Sequence, residues 1–589
     1  MLPEPARIGR AFDYVVPDHL VGPLRVGSMV RVNLAGRPVG GWVLECDVTP
    51  PAGVTPRPIR KISGYGPPAE VIDLCRWAAR RWAGRLATFL GTAGPDRAVR
   101  ALPEPPGRDA AGVRPPARPG SASDETEEVV AAALRHPVAT VRLPPAADPV
   151  PAIVEALTRR RAAGPGLVVV PTQADVTRIT LALRRAGEHA VRLDRDWAAA
   201  AAGNVTVVGT RAAAFSPQPD LGLAVVLDEH DESLQEEGSP SWHAREVVIE
   251  RCRRRAVPAL LFSPTPSQEA VASGPIVTVS RSAERDGWAA LELIDARTED
   301  PRAGLFPRRV VAAARAAQRP VFVLNRTGRS RLSVCRSCGA TATCERCDAA
   351  AIRQGDHGFT CPRCSAERPE VCLACRGTAF ANVRVGVTRV AEEAAALLGT
   401  EVAEVSGAQG RERVPATGAL VGTEAVLHRA GSADLVVFLD FDQELLAPRY
   451  RAAEQALALL ARASRLVGPR TDGGRIIVPT RMPEHVVLRS VLLADPAPAG
   501  RDEARRRRLL AHPPAGSVAD IGGQAAPAYL DRLTRVLDHA ELSDDVQVLH
   551  PTDDRWLVRA PDPDTLCEVL SRVERPPGRL RLRVDPMRL

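Results

Sequence analysis

The sequence predicts an α/β protein with two successive lobes of parallel sheet, and three observations carry that prediction. Apolar runs with polar ends, "GLVVVPT" (166–172), "VTVVGT" (205–210), "LAVVLDEHDE" (223–232) and "ALLFSPTP" (259–266), alternate with helical stretches such as "ADVTRITLALRRAG". Buried strands that alternate with helices make a parallel sheet covered on both faces. The theme recurs in "PVFVLNRTG" (320–328), "GALVGTEAV" (418–426), "DLVVFLDFD" (434–442) and "GRIIVPT" (474–480), which makes a second lobe. Eight of the twelve cysteines lie between Cys335 and Cys375, as an insertion early in that lobe.

The elements follow in order. Residues 1–45 read as short strands, "FDYVVP", "GSMVRVNLAG" and "PVGGWVLECD", broken by Gly and Pro. "EVIDLCRWAARRWAGRLATFL" (70–90) has apolar residues at helical spacing and predicts one helix. "LPEPPGRDAAGVRPPARPGSASDETEE" (102–128) is rich in Pro, Gly and Ser without period, which predicts a linker. The last hundred residues, with "DRWLVRAP" and "GRLRLRVDP" as strands around the helix "PDTLCEVLSRV", predict a small α+β domain. The expected division is therefore 1–97, a linker over 98–128, lobe one over 129–290, lobe two over 291–490 containing the insertion at 333–380, and a C-terminal domain over 491–589.

At 589 residues with 45% hydrophobic content, the chain has material for several cores. A formal charge of +8 and a pI of 9.1 suit an anionic partner. The basic count conceals one sharp fact: Lys61 is the single lysine, and every other basic residue is arginine. The N-terminus has no apolar run fit for a signal peptide. No segment reaches the ~18 uninterrupted apolar residues of a membrane span. A cytoplasmic location is expected, where thiols stay reduced.

Reduced Cys-x-x-Cys pairs read as metal ligands. The four pairs are Cys335/Cys338, Cys344/Cys347, Cys361/Cys364 and Cys372/Cys375, separated by five, thirteen and seven residues. Two pairs complete one tetrahedral thiolate shell, so eight thiolates predict two zinc ions, in preference to a redox relay or an iron–sulfur site. The pairs could join in sequence or nest. Nesting is favoured, because five residues is a cramped return between pairs one and two, while the loop from Cys347 to Cys361 is long enough for a hairpin. One zinc would then sit on Cys335, Cys338, Cys372 and Cys375, the other on Cys344, Cys347, Cys361 and Cys364. His357 reads as a surface residue of the hairpin. Cys46, Cys75, Cys252 and Cys567 are scattered and read as buried small apolar residues.

Four stretches resemble the bacterial primosomal protein N′ (PriA) family of replication-restart helicases. They are the N-terminal "RAFDYVVPDHL…GSMVRV", the block "LNRTGRSRLSVCRSCGATATCERCD…CPRC…CLAC", the stretch "VGTRAAAFSPQPDLGLAVVLDEHDE…WHAREV" and the terminal "LRVDP". The resemblance implies a 3′-DNA-binding domain, two RecA-like helicase lobes, a two-zinc insertion and a C-terminal domain. It also implies a winged-helix domain after the first domain. Only residues 95–140 are available for one, so that domain is expected to be lost or reduced.

The resemblance implies a motor, and the motor motifs are worn. ATP hydrolysis needs a Gly-rich loop whose amides cradle phosphate, with a lysine on the β/γ-phosphates and a Ser/Thr on magnesium. The corresponding place reads "VRLPPAADPVPAIVEAL" (141–157), without glycine or lysine. Arginine is a poor substitute for the compact ammonium at a tight loop. The acidic segment survives as Asp228, Glu229 and His230, which without the loop read as a solvated turn after a strand. "FSPTPS" (262–267) remains of the next motif. "RASRLVGPR" (462–470) keeps one arginine position, Arg465, and loses the likelier finger.

The expected function is therefore fork recognition and primosome assembly without helicase activity of its own, and no ATP is expected as cofactor. The alternative is a working ATP-dependent 3′→5′ helicase. The resemblance assigns DNA contact to Phe12, Asp13, Tyr14 and Gly36: an aromatic stacks on the terminal base, and a carboxylate accepts from the 3′-hydroxyl. One of Phe12 and Tyr14 could instead be core. Lys61 beside Arg60 reads as a phosphate contact. The run "RDEARRRRLL" (501–510) reads as a backbone contact or a solvated helix face. Implied partners are branched DNA at replication forks, other primosome proteins, single-stranded DNA-binding protein, and the replicative helicase or its loader. No membrane partner is expected, and the implied location is nucleoid-associated.

Overall fold

The structure, a computed structural model, describes residues 1–5, 8–53, 55–107, 123–299, 304–324, 332–346, 349–353, 358–361, 364, 366–383, 387–405, 414–540, 545–552 and 555–588. Residues 1–141, 149–277 and 507–587 gather into one compact unit, and residues 142–148 with 278–506 into a second.

The first unit opens with a four-stranded antiparallel sheet in the order Leu2–Pro3, Arg37–Trp42, Met29–Leu34, Lys61–Gly64. Period-two alternation in "MVRVNL" buries Val30 and Val32 and turns Arg31 and Asn33 outward. The hairpin turns through Ala35 and Gly36 at φ 50° and 78°, the left-handed pair that a two-residue loop demands.

The single helix expected over 70–90 is two helices, Ala69–Arg81 and Leu86–Ala93. Ala83 between them takes φ 43°, and a Cβ on Gly84 would meet the Phe89 ring at 2.7 Å. The apolar spacing runs through the break because both helices bury Trp82 and Phe89 in the same cluster. The linker expected to reach residue 128 ends sooner. Ser123 accepts the Thr126 N–H at 3.3 Å and caps the helix Asp124–Ala133. Its acidic residues form the first turn, where carboxylates complement the helix dipole.

Lobe one is a seven-stranded sheet in the order Ile276–Thr278, Val138–Arg142, Ala259–Phe262, Leu223–Leu227, Gly166–Val169, Thr206–Gly209, Ala190–Arg192. The pairs from Val138–Arg142 to Ala190–Arg192 are parallel. The C-terminal domain is an antiparallel sheet, Gln547–Thr552, Arg555–Ala560, Ser517–Gly522, Arg581–Val584, with the helices Ala526–Ala540 and Pro563–Arg572. Within the unit, Arg81 at the end of its helix pairs with Asp585 at 2.8 Å and Glu246 at 2.9 Å. The "LRVDP" end is thereby fastened to the N-terminal helices.

Lobe two, in the second unit, is a six-stranded parallel sheet in the order Ala290–Asp295, Arg475–Thr480, Leu435–Phe438, Pro320–Val323, Ala419–Gly422, Val402–Val405. The cysteine insertion leaves after Pro320–Val323. It pairs Leu332–Cys335 with Phe380–Val383, and holds a three-stranded sheet, Ile352–Arg353, Phe359–Thr360, Glu367–Arg368. Among the described residues no helix is long and apolar enough to cross a membrane.

Candidate functional site

Each cysteine pair sits on the same backbone device. The first cysteine's N–H donates to the carbonyl five residues on: Cys335 to Ala340 at 2.9 Å, Cys344 to Ala349 at 2.8 Å, Cys361 to Ala366 at 2.9 Å, Cys372 to Gly377 at 2.8 Å. In the three pairs described at both cysteines, the turn aims both thiols to one side. A Cβ at Gly377 would stand 3.0 Å from the Ser337 hydroxyl, 3.3 Å from the Cys375 sulfur and 3.4 Å from that of Cys335, so a side chain there crowds the site.

The sulfurs of Cys335, Cys338, Cys372 and Cys375 lie within 4.8 Å of one another, and those of Cys344, Cys361 and Cys364 form a second group. The structure thus brings the outer pairs together and sets Cys344 beside the third pair. Cys347, the expected fourth ligand of the inner group, and His357 lie outside the described residues. Separations of 3.6 Å (Cys335–Cys375), 3.5 Å (Cys338–Cys372) and 3.6 Å (Cys344–Cys364) are close to the ~3.8 Å that four Zn–S bonds of 2.3 Å impose on a tetrahedron. The donor set and spacing fit zinc. Of the four scattered cysteines, Cys75, Cys252 and Cys567 are buried, whereas Cys46 is exposed, contrary to expectation.

The place of the phosphate loop holds no cradle. Pro144, Pro145 and Pro149 have no amide hydrogen. The Ala146 N–H donates to the Gly287 carbonyl at 3.1 Å, and that of Ala147 to Pro144 at 3.0 Å. Arg465 donates from Nε to the Pro145 carbonyl at 3.2 Å. All these partners belong to the second unit. A cavity of about 290 Å³ at the carboxyl ends of lobe-two strands is lined by Glu424, His428, Asp440 and Glu444. Burial, reinforced by Asp442, pushes Asp440 up to about 7. Apolar Val323, Leu324, Phe438, Phe441 and Leu459 make up much of the remaining lining.

The acidic segment is not the solvated turn that its sequence suggested. Asp228 and Glu229 are 7% and 0% exposed, and the Glu229 N–H donates to the Phe262 carbonyl at 3.1 Å. Glu229 is fully engaged: Oε2 meets Arg245 at 2.8 Å and the Ser267 hydroxyl at 2.8 Å, and Oε1 accepts the Ser267 N–H at 2.8 Å. His230 Nδ1 stands 2.7 Å from the Ser263 hydroxyl. Arg245 and Ser267 were not singled out from sequence. Ser267 caps the helix Gln268–Ser273, and Arg245 lies in the first turn of Ala244–Arg255.

In the N-terminal domain, Phe12 and Asp13 are half-buried, and Arg10 stacks over Phe12 at 4.9 Å. Tyr14 packs against the cluster of Val30, Val32, Val43 and Ile59, so it carries part of the core. Gly36 is exposed at the hairpin tip, with nothing within 4 Å of a built Cβ. Lys61 opens the edge strand and is exposed. Among the described residues no hydrogen bond or ion pair joins these five. In the run 501–510, Arg507 is neither a solvated nor a DNA-facing residue: it is 1% exposed and pairs with Glu269 at 3.2 Å.

Two lobes each built on a mainly parallel sheet, a cysteine-knuckle insertion and an appended β-rich domain define the class, a two-lobed α/β protein carrying a metal-binding module. Residues 1–95 match the PriA 3′DNA-binding domain (3′BD) family. The chain is 30% identical to the probable replication restart protein PriA of Mycobacterium tuberculosis (strain H37Rv), over 97% of this chain and 90% of that one. It is 26% identical to replication restart protein PriA of Bacillus subtilis, over 52% of this chain and 42% of that one. Among solved structures, a DUF1998 helicase bound to DNA and AMPPNP aligns over 74% of this chain and 59% of that one, at 12% identity and a TM-score of 0.35. The chain belongs to the PriA family of replication restart proteins.

Proposed function

We propose that this protein recognises branched DNA at stalled replication forks and helps to reload the replicative helicase, without unwinding DNA itself. The observation that carries the second half is the segment 142–148: three of its neighbouring positions are proline, the Ala146 and Ala147 amides are bonded within the protein, and no lysine is within reach of it in either lobe. Phosphoryl transfer is mostly positioning and charge neutralisation, and the parts that position and neutralise are missing.

The N-terminal domain supplies the fork contact. Phe12 stacks on the terminal base and Asp13 accepts from a free 3′-hydroxyl, with Tyr14 and Gly36 framing the strand, while Lys61 contacts backbone phosphate. Two zinc ions hold the insertion, on Cys335, Cys338, Cys372 and Cys375, and on Cys344, Cys347, Cys361 and Cys364. The degenerate lobes act as a scaffold for docking primosome proteins, single-stranded DNA-binding protein and the replicative helicase or its loader in the cytoplasm, at the nucleoid. The test is equilibrium binding to forks with and without a nascent 3′-hydroxyl, together with DNA-stimulated ATPase. Fork binding without ATPase supports the reading. ATPase that follows the monomer peak overturns it.

A further inference from the structure

The outer face of the N-terminal sheet carries an arrangement that folding alone disfavours. Arg31 and Lys61 are cross-strand partners in the antiparallel register of Met29–Leu34 with Lys61–Gly64. Arg31 alternates with the buried Val30 and Val32, and Lys61 precedes the half-buried Ile62, so both point outward. Like charges directly opposite each other destabilise a sheet. Arg60 joins the row: its N–H donates to the Arg31 carbonyl at 2.9 Å, and its guanidinium reaches the Asn33 Oδ1 at 3.4 Å on the same face. All three cations are exposed.

Among the described residues Arg31, Arg60 and Lys61 form no ion pair, whereas elsewhere Arg76, Arg159, Arg253 and Arg572 each hold an acid within their own helix. The acid on this face, Glu4, has its carboxylate over Gly40, which pairs with Arg31 on the other side, yet it makes no ion pair with Arg31. Three unpaired cations stand on two adjacent strands, roughly 5 Å apart at the cross-strand pair. This is a positively charged stripe that crosses from the strand Met29–Leu34 to the start of the edge strand Lys61–Gly64.

We propose that this stripe, Arg31, Arg60 and Lys61, is a docking surface for the sugar–phosphate backbone of duplex DNA, separate from the Phe12–Tyr14 loop that takes the strand end. It rests on the fork-binding reading and adds to it the face that holds the duplex arm. The cross-strand repulsion is relieved when phosphates lie between the cations. The stripe therefore trades stability of the free protein for affinity, and the two effects have opposite signs.

The experiment uses the full chain and fluorescence anisotropy on a forked duplex, with a 3′-hydroxyl or a 3′-phosphate end, from 50 to 200 mM salt. Each phosphate contact contributes about 0.9 to the log–log salt slope. The triple variant Arg31→Ala, Arg60→Ala, Lys61→Ala should flatten the slope by about 2 to 3, so that its affinity loss across that range is smaller by about 40-fold. The ratio of affinities for the two ends should stay that of the parent. In the absence of DNA, Arg31→Glu should raise Tm while weakening binding, because it turns a like-charge pair into an opposite one. An unchanged slope overturns the proposal, as does a flattened slope accompanied by loss of the end preference, which would place the stripe inside the end pocket. A parent that shows no preference for forks at all, yet has the expected slope, overturns the fork reading and leaves the stripe standing.

Discussion

Glu229 and Arg245 form an ion pair at 2.8 Å with side chains 0% and 3% exposed. In a motor the acidic residue after this strand has to be available to magnesium or water. Here both oxygens are engaged by Arg245 and Ser267, which gives Glu229 a structural role. Breaking a buried pair from one side leaves an uncompensated charge, at a cost of about 3–5 kcal/mol. Arg245→Ala should lower the unfolding free energy by that order, measured by urea denaturation. Glu229→Gln should lose part of it without altering any nucleotide turnover.

The segment 142–148 predicts silence toward nucleotide. Millimolar ATP with magnesium should leave Tm unchanged, since a ligand stabilises only what it binds. Purified protein should show no DNA-stimulated ATPase above a buffer control and no strand displacement. A saturable Tm shift with ATP would refute this.

Two zinc ions per chain are expected by metal analysis of protein purified without chelator. Four-thiolate sites contribute folding energy directly, so chelation should loosen the insertion. The double variant Cys335→Ser, Cys338→Ser should keep one zinc. Gly377→Val should weaken the same site, because its side chain would crowd the Cys335 and Cys375 sulfurs. Retention of both ions in the double variant would show that the pairs join differently.

Asp13→Ala should reduce the preference for forks with a free 3′-hydroxyl by about 1–2 kcal/mol, the scale of a hydrogen bond to a charged group. Binding to blunt duplex should barely change. Equal binding of both fork types by variant and parent would remove Asp13 from the pocket.

His485 gives a pH prediction. Burial, with Arg506 nearby, pushes it down to about 4, and its Nδ1 accepts the Val487 N–H at the start of a helix. The unfolded chain, with a histidine pKa near 6.5, then binds the proton first as pH falls. The contribution is complete above about 6.5 and is lost as pH falls from there to about 4, on the order of 2 kcal/mol. Asp440, raised to about 7, acts in the opposite direction, so the signature is a difference. The stability gap between the parent and His485→Asn, which keeps a capping oxygen, should shrink across that window as pH falls. A gap independent of pH would refute the assignment.

The sequence by itself determined the two parallel lobes, the cysteine insertion and a segment 141–157 without glycine or lysine, because each is local. Apolar runs of four or five residues, Cys-x-x-Cys turns closed by a bond five residues on, and the absence of glycine and lysine are properties of short segments. The turn at Ala83 was hidden, because Trp82 and Phe89 face one core and keep the helical spacing through the break. The cap at Ser123 was hidden inside a composition that reads as linker. Tertiary structure alone decided which cysteine pairs meet, since that depends on how the hairpin folds back across its base. It alone decided that Glu229 is buried, since its partners Arg245 and Ser267 lie 16 and 38 residues away. It alone set Lys61 opposite Arg31, thirty residues upstream, because strand register is fixed by which faces are buried and not by the charges they carry.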